Sequence, residues 1–183
     1  MIKVGVSNHH VHLNKESLSA LFGDNYNLTV KRPLLQKGQF AANETVNIIK
    51  NGKILEHIRI VGPLRSYTQV ELLDTDNEYF NIKAPVRKSG DLNGSETVLL
   101  KGPNGTYEAK ESTIVSNTHI HMSSEDLKTY NKVNDEYVTI KCKDKIIENV
   151  QIKSDETCVL EMHINKDIAQ SLNIETGDEV IIC

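Results

Sequence analysis

The chain says nearly the same thing twice. Val6-Ser7-Asn8-His9-His10-Val11-His12-Leu13 is echoed, 109 residues on, by Val115-Ser116-Asn117-Thr118-His119-Ile120-His121-Met122. Each copy runs into a polar, Leu-bearing stretch, Lys15-Glu16-Ser17-Leu18 and Ser124-Glu125-Asp126-Leu127. The repeat points to two related halves, beginning near residues 1 and 112. Side chains two apart on a strand share a face, so His10 and His12 aim the same way, as do His119 and His121. Neighbouring imidazoles on one face suit chelation of zinc or another borderline metal. Four of the seven histidines lie in these two pairs, which favours a duplicated half-site and a paired metal centre over coincidence.

At 183 residues the chain makes one large domain or two small ones. Charged residues at 25% and apolar ones at 38% suit a soluble globular protein. The net charge of −4 gives no pull toward nucleic acid or an anionic membrane. No apolar run reaches the length of a membrane span, and Met1-Ile2-Lys3-Val4-Gly5-Val6 is too short and too soon polar for a secretory leader. Cys142, Cys158 and Cys183 are odd in number and lack CxxC spacing, which fits a reducing cytoplasm. None adjoins a basic cluster that would activate a thiolate. Walker, GxGxxG and GxSxG motifs are absent.

Strand signals dominate. Residues 46–50, an Asn51-Gly52 turn and Ile54-Leu55 read as a hairpin. So do residues 98–101 with 106–108, and 137–142 with 146–153. Residues 159–164 and 179–183 add short strands. Helical patterns cover 15–22, 124–130 and 166–172, with Ser123 or Ser124 capping the second. Many short strands and few helices predict small barrels rather than a βαβ sheet.

Beyond the pairs, His163 sits on another strand-like apolar run, residues 159–164. His57 has no such setting and is expected to be exposed. His9 falls on the face opposite His10, in a position that either supports the metal ligands from behind or is structural. In Gly62-Pro63-Leu64-Arg65-Ser66-Tyr67-Thr68-Gln69-Val70-Glu71 the alternation predicts a strand with Arg65, Tyr67, Gln69 and Glu71 on one face. That face either meets solvent or lets Arg65 grip an anionic oxygen and Glu71 bind metal. Residues 89–95 read as a surface turn, or as a small-residue loop whose amides face an anion.

Taken together, these residues resemble the phosphate propanoyltransferase family over nearly the whole chain. The resemblance rests on His10-Val11-His12-Leu13, residues 39–46, the 62–71 block, Ala84-Pro85-Val86-Arg87 with Ser89-Gly90-Asp91-Leu92, His119-Ile120-His121-Met122 and Leu160-Glu161-Met162-His163-Ile164. It implies a mainly β fold: two small antiparallel β-barrels with short helical caps, related by an internal duplication. Residues 1–8 plus 117–183 would form one barrel and residues 9–116 the other. It implies two zinc ions per chain between the barrels, one on His10, His12 and Glu71, the other on His119, His121 and His163. Arg65 matches the family's phosphate-binding arginine, and Ser7, Arg59 and Gln69 complete the substrate-binding candidates. The chain departs from the family where His9 and Thr118 replace arginines before each His-x-His, and where Glu96-Thr97 replaces Pro-Gly. Family members in microcompartments carry an amphipathic helix before the first barrel strand. This sequence starts at that strand, so a free cytoplasmic form is expected.

The implied reaction is reversible acyl transfer between coenzyme A and inorganic phosphate, giving an acyl phosphate from a short acyl-CoA. No nucleic acid or membrane partner is expected, and a homodimer or another homo-oligomer is. Two rival readings are a dinuclear metallohydrolase of a phosphoester or acyl substrate, and a non-catalytic binding module stabilised by metal.

Overall fold

Turn chemistry and alternating burial set most of the elements. A computed structural model describes all 183 residues. In chain order the elements are β1 (Ile2–Ser7), β2 (His10–His12), α1 (Lys15–Phe22), β3 (Val30–Pro33), β4 (Phe40–Lys50), β5 (Lys53–Gly62), β6 (Gln69–Leu72), α2 (Asp74–Phe80), β7 (Val86–Arg87), β8 (Glu96–Lys101), β9 (Thr106–Ser116), β10 (His119–His121), α3 (Ser124–Tyr130), β11 (Tyr137–Cys142), β12 (Lys145–Lys153), β13 (Glu161–Asn165), α4 (Lys166–Leu172) and β14 (Glu179–Ile182). The β4–β5 hairpin turns at Asn51 (φ 50°) and Gly52 (φ 74°), the positive-φ pair that a two-residue turn requires. Asn14 caps α1 by accepting from the Ser17 N–H at 2.8 Å. Ser123 caps α3 by accepting from Asp126 N–H at 3.2 Å, while the Asp126 carboxylate accepts from Ser123 N–H at 2.9 Å. No helix is long and apolar enough to cross a membrane.

The chain forms two compact units. The first holds residues 1–8, 35–37 and 117–183; the second holds 9–34 and 38–116. In the first, six strands close in the order β1-β13-β10-β12-β11-β14. Its core gathers Ile2, Val4, Ile120, Met122, Ile152 and Met162. In the second, the ring runs β9-β6-β2-β5-β4-β8 and back to β9, with β3 and β7 appended. Val11, Leu13, Ile48, Ile60, Val70 and Phe80 fill its core.

The two rings match strand for strand. In the first, β13 runs parallel to β1 and antiparallel to β10, which runs parallel to β12. In the second, β6 runs parallel to β9 and antiparallel to β2, which runs parallel to β5. Both barrels are thus mixed rather than antiparallel throughout. In each repeat one barrel's strand (β1 or β9) leads directly into a strand of the other (β2 or β10).

Two expectations need correction. The strand read over residues 65–71 is confined to Gln69–Leu72, every residue of which is buried. Residues 63–68 form an irregular loop, in which the Arg65 N–H donates to Leu13 O at 2.9 Å instead of to a ladder. Helix α2 has no counterpart in the sequence reading. It buries only Asp76 and Phe80, too few positions to give a helical period.

Candidate metal centres

In the second unit, β2 and β6 lie antiparallel with His10 opposite Glu71 and His12 opposite Gln69. His10, His12 and Glu71 each offer a ligand atom, all within 4.8 Å of one another. Glu71 Oε2 lies 3.5 Å from His10 Nε2, and Oε1 lies 3.6 Å from His12 Nε2. The two imidazole Nε2 atoms face each other at 3.2 Å. His12 Nδ1 lies 3.1 Å from the Val61 carbonyl, and a carbonyl only accepts, so Nδ1 carries the proton and Nε2 is a bare lone pair. A lone pair beside another imidazole nitrogen and a carboxylate, among largely buried side chains, is the arrangement a divalent cation satisfies.

In the first unit, β10 and β13 repeat the geometry, with His119 opposite His163 and His121 opposite Glu161. His119, His121 and His163 again place ligand atoms within 4.8 Å. The Nε2 atoms of His119 and His121 stand 3.1 Å apart. His119 donates from Nδ1 to Asn117 O at 2.8 Å, leaving its Nε2 as a lone pair, and His121 Nδ1 meets Cys158 Sγ at 3.3 Å. These donor sets, His₂Glu and His₃, fit a zinc ion that keeps an open position.

Charge settles as metal binding requires. Burial outweighs the attraction of Glu71 and pushes His12 down to about 4. Burial of Glu71 opposes its ionisation, yet His10 and His12 hold it well below the usual carboxylate range. Burial of Glu161 is likewise overcome, chiefly by His163. The sign of the pH effect follows. Unfolded His12 takes up its proton near pH 6.5, and folded His12 does not until about pH 4, so protonation favours the unfolded chain. Metal-free protein should therefore lose about 2–3 kcal/mol of stability between pH 7 and pH 4.5. The depressed Glu71 and Glu161 extend the loss at lower pH. Urea midpoints at the two pH values check this, and a His12→Gln variant should flatten the dependence.

The other sequence-derived candidates fall as follows. Arg65 donates from Nη1 to Ser89 Oγ at 2.9 Å and is close enough to His12 to help keep it neutral. Gln69 donates to Glu71 Oε1 at 2.6 Å and to Ser89 Oγ at 2.9 Å, and accepts from Gly90 N–H at 2.8 Å. The 89–95 turn is thereby fastened to β6. Ser7 ends β1 opposite Asn165, two residues past His163. Arg59 is not gathered in: its Nη1 donates to the Ala42 and Asn43 carbonyls of β4. His57 is exposed, and His9 meets the Asp76 carboxylate at 2.9 Å. Glu161, Gln36 and Cys158 were not singled out from the sequence. Only Glu161 left a signal there, lying two residues before His163 on one strand face.

The chain is thus a double β-barrel protein with one group of potential cation ligands in each barrel. It belongs to the phosphate propanoyltransferase family, whose sequence pattern matches residues 3–175. It is 40% identical over 185 residues to the phosphate propanoyltransferase of Thermotoga maritima, covering 99% of this chain and 88% of that protein. The Lachnoclostridium phytofermentans enzyme of that name is 40% identical over 99% of this chain and 86% of its own length. The Priestia megaterium one is 41% identical over 99% and 85%.

Proposed function

We propose that this protein is a phosphotransacylase that moves a short acyl group, such as propanoyl or acetyl, reversibly between coenzyme A and inorganic phosphate. The reaction breaks the thioester C–S bond, forms a C–O bond to phosphate and releases CoA. The observation that carries this reading is the pair of three-ligand groups, each with its ligand atoms within 4.8 Å of one another, in a chain of this family. His10, His12 and Glu71 would hold one zinc ion, and His119, His121 and His163 a second. Zinc so held supplies Lewis acidity at a thioester carbonyl and charge for a departing thiolate.

The remaining work falls to the protein. Phosphate is a weak nucleophile toward a thioester, so holding it beside the carbonyl matters more than activating it. Arg65 would hold it, with its guanidinium already braced by Ser89. Gln69 would keep the Glu71 carboxylate aligned through its 2.6 Å hydrogen bond. Direct transfer needs no protein nucleophile, which accords with Cys142 and Cys158, whose thiols burial pushes up. The reading extends to residues 1–8 plus 117–183 and residues 9–116 as barrel-forming halves with one zinc ion each, to a cytoplasmic setting and to a homo-oligomer.

Two assays test it. CoA release from propanoyl-CoA should require phosphate and yield propanoyl phosphate. Phosphate-independent release would favour a hydrolase, and no turnover with metal bound would favour a binding module. Arg65→Lys keeps the charge but loses the planar fork. The lost contact is worth roughly 1.5–3 kcal/mol, so phosphate dependence should weaken about 10- to 150-fold with metal content unchanged. Kinetics matching the parent would remove Arg65 from the site.

A further inference from the structure

The two groups differ in one ligand, Glu71 against His163, and at the position two residues before it on the same strand. Opposite the second histidine of the pair stands Gln69 in the second unit and Glu161 in the first. The Glu161 carboxylate is closely surrounded. Its Oε2 lies 2.7 Å from His163 Nε2 and accepts from Gln36 Nε2 at 3.3 Å. Gln36 is itself fixed, since it accepts from Val159 N–H at 2.8 Å and donates to Val159 O at 3.0 Å, with only 3% of its surface exposed. Strand β1 crosses beside the carboxylate at Gly5, which pairs with His163. A Cβ on Gly5 would stand 2.7 Å from Glu161 Oε1. The corresponding residue in the second unit is Ile114, opposite Glu71. The glycine is therefore what leaves room for Glu161.

An ionised carboxylate only accepts, so the proton between Glu161 and His163 sits on His163 Nε2. A neutral imidazole has one N–H, so the lone pair His163 can offer is on Nδ1. His119 is the reverse, with its Nδ1–H donated to the Asn117 carbonyl and its lone pair on Nε2.

We propose that Glu161, clamped by Gln36 and admitted by Gly5, is a positioning residue that fixes His163 as an Nδ1 ligand for the metal of the first unit. The inference rests on the zinc reading above. A carboxylate on the far nitrogen orients the ring and raises its basicity, and loss of such a partner typically lowers metal affinity 10- to 100-fold. Gln69 touches a carboxylate rather than an imidazole and cannot act in this way.

The test uses the full-length, zinc-loaded protein. A chromophoric chelator should draw two zinc equivalents from the parent. From Glu161→Gln, one equivalent should come away about 10- to 100-fold more readily and the other as in the parent. Gly5→Ala adds one methyl group 2.7 Å from Glu161 Oε1 and 3.3 Å from the His163 ring, which would displace the carboxylate from His163 and should weaken the same equivalent; this guards against a Glu161→Gln protein that misfolds. Two-bond ¹H–¹⁵N spectra of the zinc-loaded parent should show His163 bound through Nδ1 with Nε2 protonated. Parent-like retention of both equivalents by the two variants, or a His163 bound through Nε2, would overturn the assignment. A parent that takes up no zinc would instead overturn the metal reading, and this result is distinct because it appears before any variant is made.

Discussion

Deleting residues 1–7 should leave a chain that no longer melts cooperatively. Strand β1 closes the first barrel, lying between β13 and β14, with Val4 to Ser7 on one side and Ile2 and Lys3 on the other. Without it the ring opens, and β13 and β14 become unpaired edges with orphaned backbone groups. Ile2 and Val4, 0% and 1% exposed, leave the core. Their burial alone is worth about 3–6 kcal/mol, which rivals the roughly 5–15 kcal/mol of a whole domain. Circular dichroism and calorimetry of the truncated chain measure this. A sharp transition near the parent Tm would mean that the barrel does not depend on β1.

His119→Ala should remove one zinc equivalent and nearly all turnover, while the fold survives. His119 is 8% exposed and holds its place through Asn117 O, so alanine deletes a ligand without uncovering the core. The lost Lewis acid is worth several kcal/mol, or about a thousandfold in rate. The second unit's group lies on other strands and should keep its metal. Zinc analysis beside propanoyl-CoA turnover reports both. A variant that keeps two equivalents would remove His119 from the ligand set.

The fold class was legible where local chemistry decides. The Asn51-Gly52 turn fixed a hairpin, and helices 15–22, 124–130 and 166–172 have the bounds read from their patterns. The mixed barrels were not, because parallel pairing such as β1 with β13 joins residues about 160 apart and leaves no local mark. The strand read over 65–71 failed before Gln69 because Arg65 and Tyr67 lie in a loop, residues 63–68, ahead of β6. Arg65 and Gln69 meet on Ser89, not on a shared strand face. In the histidine groups, i, i+2 spacing on one strand was enough to bring His10 to His12 and His119 to His121. Gln36 had no such cue, since it reaches Glu161 across 125 positions of sequence.

The account stands most directly on one measurement: activity against zinc content. Metal-free protein should be reloaded in graded steps, with elemental analysis and propanoyl-CoA phosphorolysis read on the same samples. If both histidine groups serve the reaction, zinc should approach two equivalents per chain and turnover should rise with the doubly loaded fraction. Full activity at or below one equivalent would contradict it.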